Sequence, residues 1–190
     1  VTFILLISSC KDTDESGISK FETIMNIDIP ISALISDIEK PDANFLKKAV
    51  DFSGTKDYQL HDILDLSNNI SNIHQIKPLQ GTLLSIPELE NGYEINELLL
   101  HLGYKSILVT DYTMKDPIDL LSLDYTMENG IFQVKLDEEI LQLMNDIKAV
   151  KSVIRFNITG NGNLNFNGTA NLQMPVVVES KFYTPHFSLF

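Results

Sequence analysis

LLSLDYTMENGIFQVKL, residues 120–136, carries the strongest local signal in the chain. Asn129 and Gly130 both tolerate positive φ, which a two-residue type I′ turn requires. Counting outward from that pair sets Met127 opposite Phe132, Tyr125 opposite Val134 and Leu123 opposite Leu136. On the other face Thr126 meets Gln133, and Asp124 meets Lys135. One face is apolar and the other polar with an opposite-charge pair, so turn chemistry and side-chain alternation specify the same register. The stretch predicts an antiparallel hairpin.

The hairpin leads directly into LDEEILQLMNDIKAVKS. Asp137 fits an N-cap, with Glu138 and Glu139 at the positive end of the helix dipole and Leu136 able to staple onto Leu141. Ile140, Leu143, Met144 and Ile147 recur at helical spacing, and Lys148 and Lys151 follow at the negative end. One short amphipathic helix is expected near 137–149. Period two then returns. Ile154, Phe156 and Ile158 alternate with Arg155, Asn157 and Thr159, and beyond GNGN the series Leu164, Phe166, Ala170, Leu172, Met174, Val176, Val178 keeps parity. This predicts a long antiparallel hairpin with one buried face, and Pro175, which lacks a ladder donor, predicts an edge or a bulge. KFETIMNIDIPIS reads as a first strand and EINELLLHLGYKSILVTD as one or two more. PDANFLKKAVDF reads as a helical turn and a strand, and LDLSNNISNIHQIKPLQGTLLSI as a turn with flanking strands. Closely spaced strands around one helix predict a mainly β chain, an antiparallel β-sandwich of Ig-like or jelly-roll-like type occupying residues 19–190.

The totals narrow the function. One hundred and ninety residues suffice for one domain with a sizeable core, or for two very small ones. Acids outnumber bases 26 to 14, a net charge of -12 that repels phosphate backbones, and Arg155 is the only arginine, so nucleic acid is not an expected partner. A single cysteine, Cys10, excludes an internal disulfide and any site needing two thiolates.

The opening VTFILLISSCKDTDESG passes from oil to acid at that cysteine. Val1 to Ile7 is apolar like a secretory h-region and too short to span a bilayer as a helix. LISSC, with Ile7, Ser8 and Ser9 before Cys10, resembles the bacterial lipobox. The resemblance implies a partial lipoprotein signal peptide over 1–9, a lipidated Cys10, and a tether over 10–18. Small serines admit the peptidase, the sulfur accepts a diacylglyceryl group, and acyl chains add about 0.8 kcal/mol per buried methylene. CKDTDE resembles the lysine-plus-acid export signal of surface lipoproteins from Bacteroidetes-type bacteria, with Thr13 set among the acids. With LDLSNNISNIHQI and the paired C-terminal strands, the chain resembles the single-sandwich secreted lipoproteins of those bacteria. That resemblance implies a fold and an address at the outer membrane, surface-exposed or periplasm-facing, and it carries no catalytic motif.

The search for chemistry yields no catalytic, cofactor or metal site. His61, His74, His101 and His186 lack partners at metal-ligand spacing. His61 with Asp62 and Asp65 reads as a solvated surface group, and His101 as the polar face of a strand. GNGNLNFNG offers at most weak calcium ligation through Asn161 or Asn163 and reads better as a turn. Glu88, Glu90, Glu94 and Glu97 are carboxylates whose pairing only their separation in space decides. There is no G-x-S-x-G elbow, P-loop or H-E-x-x-H. The expected function is a lipid-anchored, non-enzymatic binding or assembly module with a protein or glycan partner at the cell surface. The alternatives, in order, are a carbohydrate-binding accessory of a glycan-uptake system, a fimbrial or adhesin subunit, and a hydrolase. The chain has no tryptophan for sugar stacking, so Tyr93, Tyr104, Tyr112 and Tyr183 serve only if several share one surface.

Overall fold

The computed structural model describes residues 18–33, 50–60, 73–87, 95–147, 152–162 and 167–181. Strands follow in the order β1 (Ile18–Ala33), β2 (Val50–Gln59), β3 (Ile73–Pro78), β4 (Leu83–Ile86), β5 (Ile95–Ser106), β6 (Thr113–Met114), β7 (Ile118–Asp119), β8 (Tyr125–Glu128) and β9 (Ile131–Lys135). Helix α1 (Asp137–Asp146) comes next, then β10 (Ser152–Gly162) and β11 (Asn167–Lys181). All these strands join one antiparallel sheet in the order β6-β5-β10-β2-β1-β11-β4-β9-β8, with β3 beside β11 and β7 beside β5. The sheet curls into a half-barrel. The mainly β, antiparallel class expected from the pattern is therefore present, as a single curled sheet.

The hairpin at Asn129-Gly130 forms in the expected register, Tyr125 opposite Val134 through Glu128 opposite Ile131, with φ of 52° and 75° at the two turn residues. Its apolar face is only half covered. Phe132 and Val134 are buried, whereas Tyr125 and Met127 stay 42% and 47% exposed because β8 is the last strand of the sheet. The Tyr125 ring instead stacks diagonally on Phe132, centroids 4.9 Å apart.

Ile140, Leu143 and Met144 seat α1 on the core, with Ile147 partly buried beside them. The helix begins differently from expectation. Leu136 holds the cap position without a side-chain bond, and Leu141, the proposed staple partner, is exposed. The Asp137 carboxylate turns away to accept the N–H groups of Gly81 (2.8 Å) and Thr82 (2.7 Å), tying the helix start to the β3–β4 connection. Two backbone donors in a tight turn outcompete the cap. At the other end, Lys115 pairs with Asp146, which neutralises an acid at the negative pole of the helix. Lys148 and Lys151 lie outside the described residues.

Two further expectations are corrected. β10 and β11 do not form a hairpin, because β2 and β1 stand between them in the sheet. Instead β11 pairs with β1 over fifteen consecutive positions, from Ile18 opposite Lys181 to Ser32 opposite Asn167. β11 is also not an edge. Pro175 is accommodated in the middle because its carbonyl accepts Leu79 N–H (2.8 Å), pointing the missing donor at the break between β3 and β4.

The inner face is a continuous core. Met25, Ile27 and Ile29 of β1, Ala170, Leu172, Met174, Val176 and Val178 of β11, Ile154, Phe156 and Ile158 of β10, and Leu98, Leu100 and Leu102 of β5 are all buried in one cluster. β1 and β2 pair at only two positions, Ser32 with Ser53 and Ala33 with Phe52. Beyond them β2 leaves β1, and Lys56, in register with buried Phe156, is exposed. Gly54 makes this crossing possible, since a Cβ there would lie 2.3 Å from the Pro30 carbonyl oxygen. Gly54→Ala is expected to destabilise the protein by about 1–3 kcal/mol, an overpacking cost read from chemical denaturation. Gly81→Ala, whose added carbon would meet nothing closer than 3.7 Å, separates this from backbone strain, because Gly81 has φ +104° and Gly54 has no such angle.

Candidate functional site

The polar positions of β2, β10 and β5 alternate with the core positions, so they share the outer face of one half of the sheet. Register aligns them in four rows: Asp57, Arg155 and Gly103; Thr55, Asn157 and His101; Ser53, Thr159 and Leu99; Asp51, Asn161 and Glu97. Hydrogen bonds run across the rows. Thr55 Oγ1 donates to Asn157 Oδ1 (3.0 Å), His101 Nε2 lies 3.0 Å from Thr159 Oγ1, and Asn161 donates to Asp51 and accepts from Asn96.

At one end of the plate, Arg155 makes a two-pronged contact with Asp57, Nε to Oδ1 at 2.7 Å and Nη2 to Oδ2 at 2.8 Å. Tyr112, on the segment after β5, packs its ring under the guanidinium (3.9 Å) and under the Lys105 ammonium (4.6 Å). Gly103 stands opposite Arg155 and leaves room for Met114 of β6, whose sulfur a Cβ would strike at 2.5 Å. The hydrogen bond from Arg155 holds the Asp57 carboxyl below its ordinary value, against an opposing effect of burial. Burial and then the hydrogen bond to Asp57 push the Tyr112 phenol up, and Asp57 pushes the guanidinium up.

Chemically the plate is mostly a surface of amides, hydroxyls and paired charges, with Leu99 and Met114 as its apolar members. His101 and Thr159 are spaced like a base and a hydroxyl nucleophile. However, the backbone around Thr159 is engaged in ladders to β2 and β5, so it offers no oxyanion hole. Among the described residues no three His, Cys, Asp or Glu side chains converge to hold a metal.

Most of the groups that sequence offered as candidates lie outside the described residues. Of the four glutamates only Glu97 is described, and it borders the plate opposite Asn161. Glu88, Glu90 and Glu94 lie outside the described residues, as do His61, His186, Asp62, Asp65, Tyr93, Tyr183 and Asn163. Cys10 and the lipobox residues Ile7, Ser8 and Ser9 are likewise outside them. His74 falls in β3. Tyr104 and Tyr112 do not form a stacking platform, because Tyr104 is in register with buried Ile154 and packs on the core, whereas Tyr112 lies on the outer face. The Arg155–Asp57–Tyr112 cluster was missed. The lone arginine at a polar strand position was a usable signal, but its partners lie 98 residues upstream and on a separate loop.

No family model matches the chain, and no curated protein is significantly similar to it. No helix among the described residues is long and apolar enough to cross a membrane.

Arg155 and Asp57 are 35% and 41% exposed, so solvent discounts their pairing. A double-mutant cycle with Asp57→Asn and Arg155→Ala is expected to give a coupling of roughly 0.5–1 kcal/mol. Because the folded carboxyl titrates below its ordinary 3.8, this coupling is fully present above that value. It fades as pH falls through the lower folded value, which urea denaturation at a series of pH values measures.

Proposed function

We propose that the protein is a lipid-anchored envelope lipoprotein whose folded body is a non-enzymatic binding or assembly module, with the outer face of β2, β10 and β5 as its contact surface. The observation carrying the binding reading is that plate. Several of its side chains bond one another across three strands and so hold a fixed pattern of donors and acceptors. Such a surface suits a polar macromolecular partner. The anchor reading rests on LISSC and the acidic tether that follows Cys10.

The half-barrel is read as an open sandwich. The β5-β10-β2 half and the β1-β11-β4-β9 half meet at the two-pair corner beside Gly54 and share one core. A glycan-binding role is the second reading, favoured by the amide and hydroxyl rows. It is weakened at Tyr112, whose ring already carries two cations. A strand-exchange adhesin is disfavoured, since both terminal strands described, β1 and β11, lie side by side in the middle of the sheet, where removing either divides it.

Cys10→Ala is expected to move the protein from the membrane fraction to the soluble one, and mass spectrometry of native material to find Cys10 acylated. An unmodified thiol with an intact leader sinks the anchor assignment. For the contact surface, Asn157→Arg with Thr55→Arg is expected to abolish partner capture by the purified native protein while leaving its thermal midpoint within a few degrees.

A further inference from the structure

The turn after β5 exposes three consecutive aliphatic residues. Leu108 is 92% exposed, with Ile107 at 43% and Val109 at 52%. They sit on a defined turn: Val109 N–H donates to Ser106 O (3.1 Å), and Lys105 Nζ reaches Thr110 O (3.4 Å). Three adjacent apolar side chains exposed together on an acidic protein form a local apolar patch, the kind of feature that marks contact sites when contiguous.

The register of the sheet says where this tip points. Ser106, at the end of β5, is opposite Ser152 at the start of β10, and Gln59, at the end of β2, is opposite Val153. β2 runs antiparallel to β1 from their two pairs at Ser32–Ser53 and Ala33–Phe52, so β1 heads toward Ile18 in the direction in which β2 heads toward Gln59. The Asn129-Gly130 turn and its exposed Met127 lie toward the opposite end, because β9 runs from Phe132 opposite Ile86 to Lys135 opposite Leu83. Cys10 precedes Ile18 by eight residues, a span of at most about 28 Å.

We propose that Ile107, Leu108 and Val109 dip into the lipid bilayer and fix the orientation of the folded body on it. The proposal rests on the lipid-anchor reading for its geometry: an acylated Cys10 keeps the bilayer within reach of the end that carries the tip. The occupant is a lipid surface with zwitterionic headgroups. A net charge of -12 disfavours an anionic one, and the tip contributes aliphatic area rather than charge, so its insertion is insensitive to salt.

The test uses the full chain carrying Cys10→Ser and a hexahistidine tag ahead of Val1, captured on phosphatidylcholine vesicles that contain a nickel-chelating lipid. This tether acts whether or not Cys10 is naturally acylated. One chain carries Leu108→Cys and another Asn129→Cys, each labelled with an environment-sensitive dye. The expected result is a blue shift at 108, with quenching by nitroxide on the acyl chains, and neither at 129. In a chain labelled at Val109→Cys, Leu108→Asp is expected to reduce the inserted population roughly tenfold, the weight of one leucine side chain leaving water. Equal emission and quenching at 108 and 129 overturns the proposal, including the case where a protein partner covers the tip. The two readings fail separately. An unmodified Cys10 with an inserting tip removes the anchor alone, and an acylated Cys10 with a solvated dye at 108 removes the tip alone.

Discussion

The ladder between β1 and β11 is the constraint on which the rest of the structure depends. Fifteen consecutive residue pairs join an early strand to a late one and place both in the middle of the sheet. On its inner side Met25 meets Met174, Ile27 meets Leu172, and Ile29 meets Ala170, all buried. Its outer side is largely polar, with Ile24 exposed opposite Pro175. Asn171 donates to Asp28 (2.8 Å), and Glu179 lies between Lys20 (3.7 Å) and Lys77 (2.9 Å). Such a contact closes a loop of more than a hundred residues before it gains anything. The pairing is thus intrinsically slow to form.

From that ladder the two halves take different characters. On the β11 side, β3 and β4 share one strand by breaking at Pro175, and the broken segment is held by the Asp137 carboxylate at the start of α1. Proline, turn and helix start thus form one structural unit in which each solves another's unsatisfied backbone. On the β2 side the sheet turns sharply at Gly54, which leaves the outer face of β2, β10 and β5 as a separate surface. Arg155 ends that surface because the loop after β5 folds Tyr112 back beneath it. The same loop therefore shapes the polar plate and carries the apolar tip.

What could be read from the sequence was whatever depended on near neighbours. The Asn129-Gly130 turn fixed its own register, since φ tolerance and alternation are local properties. The stripe of α1 and the buried parity of β10 and β11 were legible for the same reason. Partner choice was not. Ile154 to Ile158 and Ala170 to Val178 are equally compatible with pairing to each other or to any strand of matching parity. Here fifteen matched positions on β1 take β11 instead. Pro175 misled because the edge rule assumes an intact neighbour, and its neighbour is interrupted. Asp137 misled because a carboxylate at a helix start has competitors, in this case two N–H groups fifty-five and fifty-six residues upstream. The Arg155 cluster draws on three segments distant in sequence and could not be assembled without the register.

Two groups of exposed apolar residues lie toward opposite ends of the ladders, with Ile24, Met114 and Leu141 exposed elsewhere. At the Asn129 end, Tyr125 and Met127 are exposed because a sheet must stop somewhere, and β8 stops it with a strand of four residues bearing Glu128 and next to Asp124. A short charged edge of this kind discourages further strand addition. The stacking of Tyr125 on Phe132 also keeps part of its ring out of water. The 107–109 turn has no comparable compensation. Its neighbours Lys105 and Tyr112 are turned toward each other and toward Arg155, so the aliphatic side chains project beyond the polar surface instead of folding onto it. Hairpin tips that only reverse the chain are dominated by glycine, proline, asparagine, aspartate and serine. Ile-Leu-Val at such a position trades turn propensity for exposed aliphatic area, at the end of the ladders where Ser106 faces Ser152.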